Sequence, residues 1–282
     1  MGISPSELKL KHCYWRDKEY DWKKCPSLSP DHGIHRVRDA ILHYPMIEQL
    51  DFDGCCLRSI PCLRSLRNLV YLNITCNDKG SGVALNDAFQ AIGPQLKHLS
   101  LSIGSPVDLS LLLKNCHNLE SLGIEDDKFT GFANPTVSLR KLQRLTLGHI
   151  KNEPSFKGVF RLLCQCNQLT ELALIHTPYF DDQTLYDFLE RNSLLNLKVA
   201  FLYLCGLTEH GFRDLLRSAP QLEKIIIFST NLHRNEFQRV ISETNHKAQC
   251  NIGTHSALEE FFNRHFRKGH CIKNCVLFHY FH

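Results

Sequence analysis

Residues 207–227, LTEHGFRDLLRSAPQLEKIII, contain a turn, a helix and a strand in succession. Thr208 is suited to cap the helix, because its side-chain oxygen accepts a hydrogen bond from the first helical turn. The apolar residues of the helix recur at the spacing of one face: Phe212, Leu215 and Leu216. After Pro220, the strand has the pattern L-x-x-L-x-L at Leu222, Ile225 and Ile227. The residues between these positions point to the opposite side of the strand.

The same pattern recurs along most of the chain. We mark each predicted strand by its second leucine position: Leu8, Leu50, Leu72, Leu99, Leu122, Leu145, Leu172, Leu202, Ile225 and Cys250. The strand marked by Leu202 has Val199 and Leu204 as its other two apolar positions. After a first gap of 42 residues, from Leu8 to Leu50, the spacings of 22 to 30 residues suit a strand followed by a helix. We therefore predict an α/β leucine-rich-repeat solenoid, a horseshoe with parallel strands on its concave face and helices on its convex face.

The repeats predict the domain organisation. We expect about nine to ten repeats over residues 1–253, opening inside a repeat with residues 8–13, LKLKHC, as the first strand. The repeat pattern stops after Gly253, so residues 254–282 are predicted to be a C-terminal cap or a disordered tail. Besides Thr208, polar residues suited to helix capping precede several apolar segments: Asn86 or Asp87, Asp108, and Asp181 or Asp182.

Composition limits the classes of function. The chain of 282 residues has a formal charge of only +4, so we expect no nucleic-acid partner. The sequence has no apolar run of the length that a membrane span needs and no secretory signal pattern, so we expect no membrane and a cytoplasmic or nuclear protein. Thirteen cysteines, an odd count, favour reduced thiols over a disulfide framework.

The sequence gives no support for catalysis. It contains no G-x-S-x-G elbow, no phosphate-binding glycine loop and no H-E-x-x-H motif, so we predict no enzyme, no catalytic residues and no cofactor. The tail has the spacing C-x3-C-x3-H-x2-H at Cys271, Cys275, His279 and His282. This spacing lies outside the commonest zinc patterns, so we predict no metal site. An enzyme or a metalloprotein that uses this tail is the third and poorest of the functions considered, after the two binding functions described below.

Three segments carry a family resemblance: ELKLKHC at 7–13, QLDFDGC at 49–55 and GLTEHGFRDLLRSAPQLEKI at 206–225. They resemble the cysteine-containing, ribonuclease-inhibitor-like leucine-rich repeats of F-box/LRR proteins. The chain departs from the cysteine or asparagine position of that repeat at Gly104, Asp127, Ile150 and Leu207. No F-box pattern is visible ahead of Leu8.

The resemblance implies a binding function. In that family the repeats select the substrate of a ubiquitin ligase, and the F-box binds the adaptor of a cullin ligase. We therefore expect a protein substrate or partner on the concave face, and the cullin adaptor as a second partner if a longer form carries an F-box. The alternative is a repeat-only scaffold or inhibitor that resembles ribonuclease-inhibitor-like proteins and has no ligase role.

The candidate binding residues lie between the leucines of the strands, where alternation places side chains on the concave face. In the later repeats these residues are large and apolar, which is typical of an interface hot spot: Ile175, Phe201, Tyr203, Ile226 and Phe228. In the earlier repeats we add Tyr71 and His98. The opposing interpretations are that the C-terminal tail folds over these residues, or that a one-residue slip in register buries them.

Overall fold

The computed structural model describes residues 12–16, 41, 45–53, 60–76, 80–125, 129–130, 139–228 and 234–252. These residues form two compact units. The first unit extends to Leu119 and includes residues 129–130, and the second begins at Glu120 and contains the rest. No helix among the described residues combines the length and the hydrophobicity that crossing a membrane requires.

The strands and helices have the following bounds. The strands are β1 (His12–Arg16), β2 (Gln49–Asp53), β3 (Tyr71–Cys76), β4 (His98–Ile103), β5 (Val107–Asp108), β6 (Ser121–Glu125), β7 (Phe129–Thr130), β8 (Arg144–Gly148), β9 (Glu171–Ile175), β10 (Val199–Tyr203), β11 (Lys224–Phe228) and β12 (Gln249–Ile252). The helices are α1 (Ser81–Ile92), α2 (Leu109–Asn115), α3 (Glu153–Leu163), α4 (Asp182–Leu189), α5 (Glu209–Ser218) and α6 (Arg234–Thr244). Two 3-10 helices lie at Ile60–Ser65 and Gly93–Gln95.

In the first unit, β1 to β4 pair in parallel and in chain order. The marker leucines Leu50, Leu72 and Leu99 occupy one register position of neighbouring strands. Each of these three side chains is at most 2% exposed, so they form one apolar column. The short strands β5 and β7 pair separately, also in parallel.

The second unit repeats this arrangement. Strands β6 and β8 to β12 pair in parallel in chain order, and the marker leucines Leu122, Leu145 and Leu172 again lie side by side. One helix connects each consecutive pair of strands from β8 to β12. Parallel neighbours require such crossovers, and the crossovers are nearly always right-handed, which places the helices on one face of the strands. The predicted α/β leucine-rich-repeat fold is confirmed.

The first predicted strand is wrong in position. Cys13 pairs with Leu50 and Trp15 with Phe52, so the marker of β1 is Cys13 rather than Leu8. The predicted segment 8–13 therefore begins four residues before β1, which starts at His12. In β1, Cys13 and Trp15 stand at the two positions that leucines fill in other strands. Leu8, Leu10 and Cys13 have the same spacing as a repeat strand, and this is why the predicted strand starts too early.

The register predicted for β10 is also wrong, by two residues. Ala200 pairs with Leu172 and Leu202 with Leu174, so the marker is Ala200 rather than Leu202. Ala200 occupies the position where a leucine is expected. The next leucine, Leu202, lies two residues later and gives the wrong register. With the corrected register, Cys205 instead of Leu207 stands at the cysteine position of this repeat, at the same offset as Thr177 in the repeat before it. The Thr177 hydroxyl and the Cys205 thiol lie 3.4 Å apart and are both buried.

Side-chain caps fix the starts of most helices. Asp108 accepts from Leu111 N–H at 3.0 Å, Asp181 from Thr184 N–H at 2.9 Å, and Thr208 from His210 N–H at 3.3 Å, as predicted. Helix α1 differs, because it begins at Ser81 rather than near Asn86 or Asp87.

The buried hydroxyl of Ser105 explains the early start of α1. It accepts a hydrogen bond from Gly82 N–H at 2.9 Å and lies 2.7 Å from the Ser81 hydroxyl. The Ser105 side chain, which is distant in sequence, thus satisfies the Gly82 N–H. In most helices a residue next to the first turn accepts this kind of hydrogen bond.

Candidate protein-binding face

The candidate site in the second unit is the inter-leucine face, which we define as the face of β9, β10 and β11 that lies opposite the marker leucines. Strand pairing brings its residues together in two rows. The middle row consists of Ala173, Phe201 and Ile226, and the end row of Ile175, Tyr203 and Phe228. Adjacent parallel strands lie about 4.8 Å apart, so neighbouring side chains within a row are in reach of one another. All five later residues predicted from the sequence therefore lie on one face.

The predicted exposure of this face is only partly observed. Phe201 is 1% exposed, Ile226 0% and Ile175 5%, so the expectation that these three side chains are open to solvent is wrong. Tyr203 and Phe228 are half-buried. Their rings stack with centroids 5.2 Å apart and planes inclined by 15°. This aromatic pair is the accessible part of the predicted cluster.

Charged residues flank the apolar rows at the beginning of the strands. Arg144 on β8, Glu171 on β9 and Lys224 on β11 stand at the same register position, and the apolar Val199 of β10 lies between the last two. Burial raises the pKa of the Glu171 carboxyl, and the nearby Arg144 partly opposes this shift. An apolar centre with a charged rim is the usual anatomy of a protein–protein interface.

The strands end on a recurring left-handed residue. His149, His176 and Leu204 have φ values of 56°, 52° and 52° and stand at the same position of successive repeats. Each donates its backbone N–H to the strand-end carbonyl of the next repeat: to Ile175 at 2.8 Å, Tyr203 at 2.7 Å and Phe228 at 3.0 Å. These hydrogen bonds hold the end row in register.

Two histidines beside the end row were not singled out from the sequence. The His149 and His176 rings meet edge to face with centroids 5.3 Å apart. Burial lowers the pKa of His149 to about 4, with further lowering by His176 and Lys151. Burial and Lys151 also lower the pKa of His176. The available signal was their shared position, two residues after the last leucine of each strand.

Tyr71 and His98, the two earlier candidates, belong to the first unit. They pair across β3 and β4, and their half-buried rings have centroids 6.3 Å apart. Along β4 the leucines are buried while His98, Ser100 and Ser102 between them are half-buried. This alternation is typical of a strand that is covered on one face.

The tail contains four candidate metal ligands. Cys271, Cys275, His279 and His282 lie outside the described residues. Among the residues that the structure does describe, no three His, Cys, Asp or Glu side chains are grouped as metal ligands.

Comparison with known proteins gives structural neighbours. No family model and no curated protein matches the sequence. A Bacteroides fragilis protein of known structure is 15% identical, with 80% of this chain and 73% of that chain covered, at a TM-score of 0.49. A chain of the yeast Rad7–Elc1 complex is 16% identical, with 82% and 70% covered, at 0.47.

Internalin C2 from Listeria monocytogenes is 16% identical, with 76% of this chain and 84% of that chain covered, at a TM-score of 0.43. The chain's own strand–helix periods and in-register leucine columns give it the leucine-rich-repeat fold.

Proposed function

We propose that this chain is a protein-binding leucine-rich-repeat scaffold that recognises its partner through the inter-leucine face. The observation that carries this proposal is the stacked pair of Tyr203 and Phe228. Both rings remain half-buried at the edge of a buried apolar centre formed by Phe201 and Ile226. Aromatic anchors next to a well-packed centre are the typical hot spots of protein interfaces.

Within this class we propose the substrate-recognition part of an F-box type ubiquitin ligase, acting in the cytoplasm or the nucleus. The support is the resemblance of three segments to the cysteine-containing repeats of F-box/LRR proteins. The corrected register of β10 adds to it, because Cys205 stands at the repeat's cysteine position. Catalysis is then left to other subunits of the ligase. The competing proposal is a repeat-only scaffold or inhibitor, which binds its partner without recruiting a ligase.

The test of binding uses a tagged full-length chain and a matched pair of variants. We expect the combined change Tyr203→Ser and Phe228→Ser to release the captured partner, because truncating a hot spot costs about 2 kcal/mol or more, roughly 30-fold in affinity. Tyr186→Ser is the control, since Tyr186 is a tyrosine on α4 that is 57% exposed. Quantitative mass spectrometry of the captured proteins gives the measurement. Equal recovery of every partner with both variants would contradict the proposed face.

The ligase role is tested in the same captures. Recovery of a cullin and its adaptor with the wild-type chain supports the ligase proposal. A partner that depends on Tyr203 and Phe228 but arrives without cullin or adaptor supports the repeat-only scaffold instead.

A further inference from the structure

Three basic side chains come together where β8 and β9 end: those of His149, His176 and Lys151. The two histidine rings meet edge to face with centroids 5.3 Å apart. Both residues occupy the left-handed position at a strand end, so the backbone of successive repeats sets the spacing of the rings. After burial, the charge of Lys151 also contributes to the lowered pKa of each ring. The three groups therefore form one cluster, which we call the basic site.

The basic site is accessible to solvent. Lys151 is exposed, and the two histidines are half-buried. Neither Lys151 nor His176 has an acidic ion-pair partner among the residues that the structure describes. Burial and the repulsion by Lys151 both lower the pKa of His176. An anionic group placed between these side chains would replace repulsion by attraction.

Two acidic residues belong to the elements beside the basic site. Glu153, in the first turn of α3, forms an ion pair within that helix at 2.6 Å. Glu125, at the end of β6, is 5% exposed and packs against the glycine of β8. After burial, the charges that shift the pKa of His149 come from His176 and Lys151, which are both basic. The basic groups therefore dominate the electrostatic potential of this site.

The basic site adjoins the aromatic pair of the inter-leucine face. His176 donates its backbone N–H to the Tyr203 carbonyl at 2.7 Å, and the Tyr203 ring stacks on Phe228. From β8 to β11 the distance is three strand spacings, about 14 Å at 4.8 Å each, which about four extended residues span. One short segment of a partner can therefore contact the basic site and the aromatic pair together.

We propose that the basic site binds a carboxylate of the partner, so that this chain recognises an acidic segment with an aspartate or glutamate about four residues from an apolar anchor. This inference rests on the proposed function and names the class of partner. Lys151 supplies a permanent positive charge, and each imidazole supplies an N–H donor. A bound carboxylate favours the protonated form of the histidines, so binding takes up protons. The affinity should therefore rise as the pH falls from about 7.5 to about 5.5.

The test is the selection of random phage-displayed peptides on the full-length chain. We expect the binders to combine Asp or Glu with an aromatic or aliphatic anchor. The variant Lys151→Ala with His176→Asn should lose the acidic preference and bind the selected peptides about tenfold more weakly. Asparagine tolerates the left-handed backbone of position 176. Lys157→Ala is the matched control, because Lys157 is an exposed lysine of α3 with a side chain that is 70% accessible.

Two further measurements use the same peptides. Selection on Lys151→Glu should enrich Lys or Arg in place of Asp or Glu, because the sign of the permanent charge is reversed. For a peptide selected on the wild type, the affinity should rise several-fold between about pH 7.5 and about pH 5.5, and His176→Asn should weaken this dependence. Binders without an acidic preference, equal binding by the double variant, or an affinity that does not change with pH would each overturn the proposal.

The outcomes separate this inference from the proposed function. Peptides that require Tyr203 and Phe228 but show no acidic preference support the binding face and contradict the basic site. Acidic peptides that require Lys151 and His176 but tolerate the change of Tyr203 and Phe228 to serine do the reverse. A selection that yields no binder contradicts both.

Discussion

The Asp182 carboxylate accepts two hydrogen bonds from Thr208, one from its backbone N–H at 2.8 Å and one from its hydroxyl. Asp182 lies in the first turn of α4, and Thr208 is the N-cap residue of α5. One side chain thus links the first turn of α4 to the N-cap of α5 in the next repeat.

We expect Asp182→Ala to lower the free energy of unfolding by about 1–2 kcal/mol, because it removes charge-assisted hydrogen bonds at a helix start. Urea denaturation followed by circular dichroism measures the change. Asp214→Ala removes an exposed carboxylate of α5 and should stay within about 0.5 kcal/mol of the wild type. Equal losses in the two variants would show that the Thr208 contact contributes nothing specific.

The close approach of α1 to the chain after β4 gives a second prediction. A Cβ atom at Gly82 would lie 1.8 Å from the Pro106 carbonyl oxygen, and backbone atoms have little room to yield. We expect Gly82→Ala to destabilise the protein by about 1–3 kcal/mol, the usual cost of overpacking. Thermal unfolding measures the loss, and Val83→Ala is the control because Val83 is 69% exposed. A Gly82→Ala protein as stable as the wild type would contradict this packing.

Buried thiols give a third prediction. Burial raises the pKa of Cys116, Cys166 and Cys205 to about 12. The reactive thiolate is therefore scarce at about pH 8, and alkylation in the folded protein should be slow at these three sites. Peptide mass spectrometry after brief iodoacetamide treatment measures this, with half-buried Cys62 as the comparison. Guanidinium should make all four react alike, whereas fast labelling of Cys205 in the folded chain would contradict its packing.

The His149 ring gives a prediction about pH. Its pKa is lowered to about 4 in the folded protein, while an unfolded histidine titrates near about 6.5. Between these values the unfolded state binds more protons, so the free energy of unfolding should fall as the pH decreases through this range. Urea denaturation at a series of pH values measures the slope. His149→Asn should reduce it, because asparagine tolerates the left-handed backbone and does not titrate.

An NMR titration of the His149 ring checks the cause directly. A midpoint near about 6.5 in the folded protein would contradict the burial of this ring.

The fold was largely predictable because leucine spacing specifies it. Wherever leucine or isoleucine filled the marker positions, as at Leu72, Leu99 and Leu145, the predicted register is the observed one. It failed where another residue occupies the marker position, Cys13 in β1 and Ala200 in β10. The start of α1 was missed for a different reason. Its supporting hydroxyl belongs to Ser105, 23 residues after Gly82, and a local capping rule does not include such a contact.

For the candidate site, alternation along the strands placed Phe201, Tyr203 and Phe228 on one face correctly. Their exposure was not predictable in the same way. Alternation determines which face a side chain occupies, but exposure depends on what else packs against that face, which is a tertiary property. The His149–His176 contact was missed because it lies just outside the leucine pattern, where no apolar period marks it.

The left-handed residues that end β8, β9 and β10 make the number of repeats adjustable. His149 and His176 perform the same backbone task, each donating to the following strand. Excising residues 150–176 as one block would place His149 where His176 now stands, with its N–H facing the Tyr203 carbonyl. Whole-repeat excision at these junctions is therefore a rational route to shortened variants, in which the contribution of each repeat to recognition is assayed separately.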